Sequence, residues 1–201
     1  MINIAVLSST RATDMEVVVD AIKKGMNAKI VCVVSNNKDA YALERARNHS
    51  IEVVFIDAKN KTREQYDTEM LRELEKRNVE LVLLMGYMKI ITPLLVERYR
   101  NRIMNIHPSL LPAFGGGMDY DVHQAVLDKG VKITGCTLHF VTEQIDEGPI
   151  IMQKAVEVSN DDTAETLKEK VQKAEQEIIV KAIKLFSEGR IEVNGNKVII
   201  T

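Results

Sequence analysis

"INIAVLSSTRATDMEVVVDAIKKGMNAKIVCVVS", residues 2–35, contains the unit whose reading decides the fold. "INIAVL" (2–7) is a short apolar run of the kind that forms a buried strand. "MEVVVDAIKKGM" (15–26) then sets its apolar residues on one helical stripe, after Asp14, a residue suited to cap a helix. "AKIVCVVS" (28–35) returns to a strand pattern. The alternation continues outward. A helix is predicted over 39–49 with Asp39 near its start, a strand over 52–56, and a helix over 63–78 with Tyr66, Met70, Leu71 and Leu74 on one stripe. "ELVLLM" (80–85) is so apolar that both faces must be covered, as in a parallel sheet.

A short helix opens at Pro93, which fits a first helical turn, and "RIMNI" (102–106) is a fifth strand. A helix over 121–130 ends at Gly130. Strands follow over 132–141 and 149–158, and a long helix over 163–189 is capped by Asp161 or Asp162. The chain closes as a hairpin around Asn194-Gly195. Repeated strand–helix–strand units with short connections predict an α/β protein with a doubly wound, mostly parallel sheet, organised as a single domain over 1–201.

Composition excludes several function classes. Apolar residues make up 45% and charged residues 28%, ordinary for a soluble globular protein. A formal net charge of −2 with interspersed signs offers no basic field for nucleic acid. No apolar stretch reaches the roughly 20 residues needed to span a bilayer, and the N-terminus lacks a signal-peptide pattern. Cys32 and Cys136 each fall in a predicted strand, as reduced core thiols of a cytoplasmic protein would.

Ligands of doubly wound sheets bind beyond the carboxyl ends of the strands. Five segments answer to that description: 8–14, 35–39, 86–92, 105–120 and 142–148. In the first, "SSTRATD" joins hydroxyls and Arg11 to a helix start, which suits an anion. The dinucleotide fingerprint is missing, since no glycine precedes Gly25, and "VVSNN" lacks the acid that would hold a ribose. "GYMKI" (86–90) leaves the most apolar strand through a glycine that permits close backbone approach.

"MNIHPSLLPAFGGG" (104–117) is the most informative stretch. Asn105 and His107 are two apart and share one side of an extended strand, while Ile106 points the other way. Pro108 takes the chain out of the sheet and fixes the direction of His107. An amide and an imidazole side by side can donate to one carbonyl oxygen, the requirement for stabilising a tetrahedral oxyanion. "TEQIDEGP" (142–149) supplies Asp146 as the carboxylate that would orient the imidazole and favour its charged form. His123 and His139 show no metal-ligand spacing, although His139 falls near the site. No Ser or Cys sits in a nucleophile elbow, and the nine methionines read as core filler.

"NIHPSLLPAF" (105–114), "TGCTLHFVTEQIDEGPIIMQ" (134–153), "LERARNHSIEV" (43–53) and "LMGYMKIITP" (84–93) resemble the phosphoribosylglycinamide formyltransferases of purine synthesis. The resemblance runs essentially end to end and implies a Rossmann-like formyltransferase fold. It implies that Asn105, His107 and Asp146 are catalytic. By the same resemblance Met88, Lys89, Ile90 and Ile91, with Thr142, Glu143, Gln144, Ile145 and Asp146, hold the pteridine of 10-formyltetrahydrofolate. Arg11, Ala12, Thr13, Asp14, Pro108 and Glu175 would contact glycinamide ribonucleotide. The expected partners are small molecules, with no metal, nucleic acid or membrane; a homodimer stays open.

Two stretches depart from the family pattern. "SSTRATD" stands where the family has a glycine-rich Ser-Gly-x-Gly-Ser-Asn turn, which makes Arg11 the charge that would compensate for lost backbone contacts. "GGGMDYDVH" (115–123) stands where Pro-Gly and a second histidine are usual, with His123 still in register. Formyltetrahydrofolate hydrolase shares the trio, but its relatives carry an additional N-terminal domain, whereas this chain starts at its first strand. Methionyl-tRNA formyltransferase is disfavoured because no tRNA-binding domain follows residue 201. A non-catalytic nucleotide-sensing module would not require Asn105, His107 and Asp146 together.

Overall fold

The computed structural model of the chain describes residues 1–116 and 121–201. The middle of the "GGGMDYDVH" segment, 117–120, lies outside the described residues. Two compact units are present: the first comprises Met1–Asn105 with Val141–Glu143, and the second Ile106–Phe140 with Gln144–Thr201.

In the first unit the elements are β1 (Ile2–Leu7), α1 (Met15–Lys23), β2 (Ala28–Ser35), α2 (Tyr41–Asn48), β3 (Glu52–Phe55), α3 (Arg63–Lys76), β4 (Leu81–Leu84) and α4 (Pro93–Arg98). They are followed by β5 (Ile103–His107), whose last two residues pass into the second unit. The strands run parallel in the order β3-β2-β1-β4-β5. Ile4 to Leu7 of β1 and all of β4 are buried, as their unbroken apolar runs require. One side packs Ala5, Leu7, Cys32, Val34 and Val82 with Tyr66, Met70 and Leu74 of α3 and Leu95 of α4. The order reverses at β1, so the carboxyl ends of β1 and β4 form a topological switch point.

The second unit contains α5 (Val122–Asp128), β6 (Ile133–Phe140), β7 (Ile150–Glu157), α6 (Ala164–Ser187), β8 (Ile191–Asn194) and β9 (Lys197–Ile200). β6 and β7 are antiparallel, β9 joins β7 in parallel, and β8 pairs antiparallel with β9 through the Gly195 turn. α6 packs across β6 and β7, burying Leu167, Val171, Ile178, Ile179 and Ile183.

The structure moves several predicted boundaries. Thr163 caps α6 in a reciprocal capping box with Thr166, whereas Asp162 accepts from Ser159 N and Thr166 Oγ1 and pairs with Lys170. Asp14 stands at the N-cap position of α1 but makes no capping bond. α2 begins after Ala40 rather than at Asp39. The helix predicted to run to 26 ends at Lys23, and Gly25 follows in the left-handed region at φ +100°. β5 continues through His107, one residue further than its apolar run.

Candidate active site

β5 is buried at Ile103 and Met104, and at its end brings His107 to a position only 6% exposed. Pro108 then turns the chain into a loop held from below by Thr137 of β6. The Thr137 hydroxyl donates to the Ser109 carbonyl (2.7 Å) and accepts from Leu111 N (3.0 Å) and Gln153 Nε2 (2.9 Å). Gln153 also donates to the Leu111 carbonyl. Buried polar groups that are satisfied this fully hold a unique loop conformation. Gly135 allows the loop to lie close, since a Cβ there would stand 2.0 Å from the Lys154 carbonyl oxygen and 2.9 Å from Leu110.

Both imidazole nitrogens of His107 meet acceptors. Nε2 lies 3.0 Å from the Phe114 carbonyl oxygen, and Nδ1 lies 3.4 Å from Asp146 Oδ2. A carbonyl oxygen only accepts, so Nε2 carries a proton. Nδ1 faces the carboxylate, which also only accepts, so each ring nitrogen is directed at an oxygen acceptor.

Asp146 has a second constraint. Its backbone is left-handed at φ +57°, which aspartate tolerates better than most residues, and its Oδ2 also accepts from Gly116 N at 3.0 Å. On its other side, Oδ1 lies 3.7 Å from His139 Nε2. His139 donates its Nδ1 proton to the Phe140 carbonyl at 2.9 Å. Burial pushes the His139 pKa below the usual histidine value, against the opposite pull of that carbonyl and of Asp146. Asp146 thus lies between two imidazoles, facing Nδ1 of His107 and Nε2 of His139.

Asn105 precedes His107 by two positions on β5 and is half-buried. Glu175 is half-buried in the middle of α6. Of the residues over 88–91, Met88 and Ile90 are exposed (43% and 39%), whereas Ile91 is buried in the core at 7%. Lys89 Nζ lies 5.1 Å from the Tyr66 ring centre. In the other loop Gln144 and Ile145 are exposed, Glu143 is exposed, and Thr142 is half-buried.

The first turn is anchored at the switch point. Ser9 N donates to the Gly86 carbonyl, Ser9 Oγ accepts from Met88 N (2.8 Å), and Thr10 Oγ1 donates to the Gly86 carbonyl. Gly86 is needed because Thr10 approaches it: a Cβ at Gly86 would lie 2.2 Å from Thr10 Oγ1, at a backbone φ of +65°. The close approach expected at this glycine is therefore filled by a side chain of the same unit. Ala12 adopts φ +44°, Thr13 is half-buried, Asp14 is buried, and Arg11 is exposed. Among the described residues no cluster of metal-ligating type occurs, and no helix is long and apolar enough to cross a membrane.

The Thr137–Gln153 support, the Phe114 carbonyl and the Gly116 amide had no signature in the linear pattern. Thr137 and Gln153 oppose each other in the β6–β7 register, and a facing pair of polar residues on adjacent strands is the sign that could have marked them.

Residues 2–183 match the family model described as formyl transferase. The chain is 41% identical over 194 residues to the trifunctional purine biosynthetic protein adenosine-3 of Gallus gallus, covering 96% of this chain and 19% of that protein. It thus spans about a fifth of the trifunctional relatives' length. It is 37% identical to the phosphoribosylglycinamide formyltransferase of Haemophilus influenzae, covering 98% of this chain and 92% of that protein. The crystal structure of glycinamide ribonucleotide transformylase 1 from Symbiobacterium toebii superposes with a TM-score of 0.95 at 40% identity, covering 100% and 94% of the two chains. With its α/β architecture, its mostly parallel sheet and a match over nearly its whole length, the chain belongs to the formyl transferase family.

Proposed function

We propose that this chain, working as one formyltransferase domain in the cytoplasm, transfers the formyl group of 10-formyltetrahydrofolate to the amine of glycinamide ribonucleotide in de novo purine biosynthesis. The observation that carries the reading is the His107 imidazole, whose Nδ1 faces Asp146 and whose Nε2 faces an oxygen acceptor.

The amine attacks the formyl carbon on N10, and the carbonyl oxygen becomes an oxyanion. Asn105 and the His107 imidazolium donate to that oxygen, the term that commonly dominates such reactions. The Phe114 carbonyl now occupies the acceptor position on Nε2, so a bound formyl oxygen takes its place there. Asp146 holds the imidazolium and passes the proton lost by the attacking amine to N10. The C–N10 bond then breaks, leaving tetrahydrofolate and the formylated amine.

Exposed Met88 and Ile90, with Thr142, Glu143, Gln144 and Ile145, offer apolar and polar contacts suited to a pteridine. Lys89 lines the same segment and Ile91 anchors it in the core. Arg11, Ala12, Thr13 and Asp14 take the ribonucleotide phosphate, and Pro108 and Glu175 contact the remainder of that substrate. No step calls for a metal ion.

The test is an assay with glycinamide ribonucleotide and 10-formyltetrahydrofolate that follows loss of the formyl-folate and gain of formylated product. Equal consumption of formyl-folate in the absence of the ribonucleotide would favour delivery to water and overturn the transferase reading.

A further inference from the structure

We infer that Tyr41 is a positioning residue for substrate binding: its ring holds the Arg11 guanidinium at the first turn, ready for the phosphate of the ribonucleotide. The inference rests on the reading that the 8–14 turn receives that phosphate.

Arg11 is exposed, and among the described residues no carboxylate lies within ion-pair distance of it. A long, flexible cation without a partner usually sweeps through solvent, and ordering it on a ligand costs rotamer entropy. Here the Arg11 Cζ lies over the Tyr41 ring, 5.2 Å from its centre. Tyr41 is 41% exposed, so its ring is open to a side chain from the turn.

The ring is itself fixed. Arg45, one helical turn further along α2, places its Cζ 5.0 Å from the same ring centre. Its side chain is only 17% exposed and bonds to Glu16 Oε1 of α1 at 2.6 Å. His49, a turn further still, meets Glu16 Oε2 at 2.7 Å. Burial alone would push the Glu16 carboxyl up, but the bonds to His49 and Arg45 hold it below the usual value, so it remains a firm anion. The start of α2 is also tied to the turn directly, since Ala42 N donates to the Thr10 carbonyl at 3.0 Å. Glu16 therefore fixes Arg45, Arg45 and the helix fix Tyr41, and Tyr41 presents Arg11. Planar guanidinium groups stack on aromatic faces in this way while keeping their donors free for phosphate. Each residue of the turn carries an N–H, but side chains in place of glycine limit how closely its backbone can approach a phosphate, and a pre-set Arg11 adds charge there.

The test measures KM for glycinamide ribonucleotide and for the formyl-folate in the full chain and four variants. Arg11→Ala tests the underlying reading and should raise the ribonucleotide KM about tenfold. Tyr41→Leu should raise it about two- to fivefold, the scale of an exposed cation–π contact, with the formyl-folate KM steady and kcat moving less than KM. Tyr41→Phe should restore the parent KM, because the ring and not the hydroxyl does the work. In Arg11→Ala/Tyr41→Leu the second substitution should add nothing. A parent-like KM in Tyr41→Leu beside a raised KM in Arg11→Ala would overturn the inference and leave the phosphate reading standing. A parent-like KM in Arg11→Ala would overturn both. If Tyr41→Leu raised both KM values together, Tyr41 would be only a structural residue.

Discussion

His107 Nδ1 stands 3.4 Å from Asp146 Oδ2, with the opposite nitrogen of the same ring bonded to the Phe114 carbonyl. The carboxylate thus faces one nitrogen of a ring whose other nitrogen meets an oxygen acceptor. An isosteric amide in place of Asp146 would still accept from Gly116 N but would no longer favour a second proton on the imidazole. Asp146→Asn should lower kcat by about 10²–10⁴-fold, the range over which positioned acid–base groups act. Formyl-folate binding, measured by fluorescence quenching or calorimetry, should largely persist. An equal loss of affinity and rate would make Asp146 a binding residue instead.

The donors themselves should be separable from it. Asn105→Ala and His107→Ala should each reduce kcat by about 10²–10³-fold, because each removes one preorganised donor from the oxyanion. Circular dichroism should report an unchanged fold in both. Near-parent turnover in either variant would remove that residue from the mechanism.

Much of this arrangement was legible in the linear pattern, and the reasons are physical. The strand–helix alternation from β1 to β5 carries strong periodicity, so element types were clear and only their ends moved. The pairing of His107 with Asp146 could be suspected because a histidine before a proline at the end of β5 and a carboxylate in the loop after β6 both fall beyond strand ends, where such sheets hold ligands. His139 was placed near the site but without a partner, since β6 is buried along nearly its whole length and nothing in its pattern singles out a contact with Asp146. The Asp162 cap failed because Thr163 is closer in register to the first helical amides. Gly86 was expected to permit a close approach, and the group that approaches is Thr10, which no local rule foretells. The Tyr41 platform depends on a stack between α2 and the first turn, and such tertiary pairs leave no mark on periodicity.

Gly135 gives a test of the loop support. A methyl group there would meet the Lys154 carbonyl oxygen at 2.0 Å and Leu110 at 2.9 Å, and backbone cannot yield as a side chain can. Gly135→Ala should destabilise the protein by about 1–3 kcal/mol, the usual cost of overpacking. It should also lower kcat, since Leu110 belongs to the loop that follows His107. Urea unfolding and turnover check the two effects, and a parent-like midpoint would mean that β6 and β7 separate more easily than their register suggests.

The last expectation concerns pH. His123 is 9% exposed at the start of α5, and burial pushes its pKa below the usual histidine value; Asp121 pulls it up and Lys168 adds to the lowering. The unfolded chain therefore takes up a proton on this residue at a higher pH than the folded chain does. Above the ordinary histidine pKa of about 6.5, both states are neutral there and stability does not depend on the group. As pH falls below that value toward the lower folded pKa, the unfolded state binds more protons and stability is lost, by at most about 1.4 kcal/mol per pH unit for one site. His139, lowered by the same cause, adds a loss of the same sign. Urea midpoints should thus fall between pH 7.5 and pH 5 in the parent. In His123→Gln the fall should be smaller, since an amide of similar size keeps the position polar without titrating. An identical fall in parent and variant would show that His123 takes its proton as readily in the folded chain as in the unfolded one.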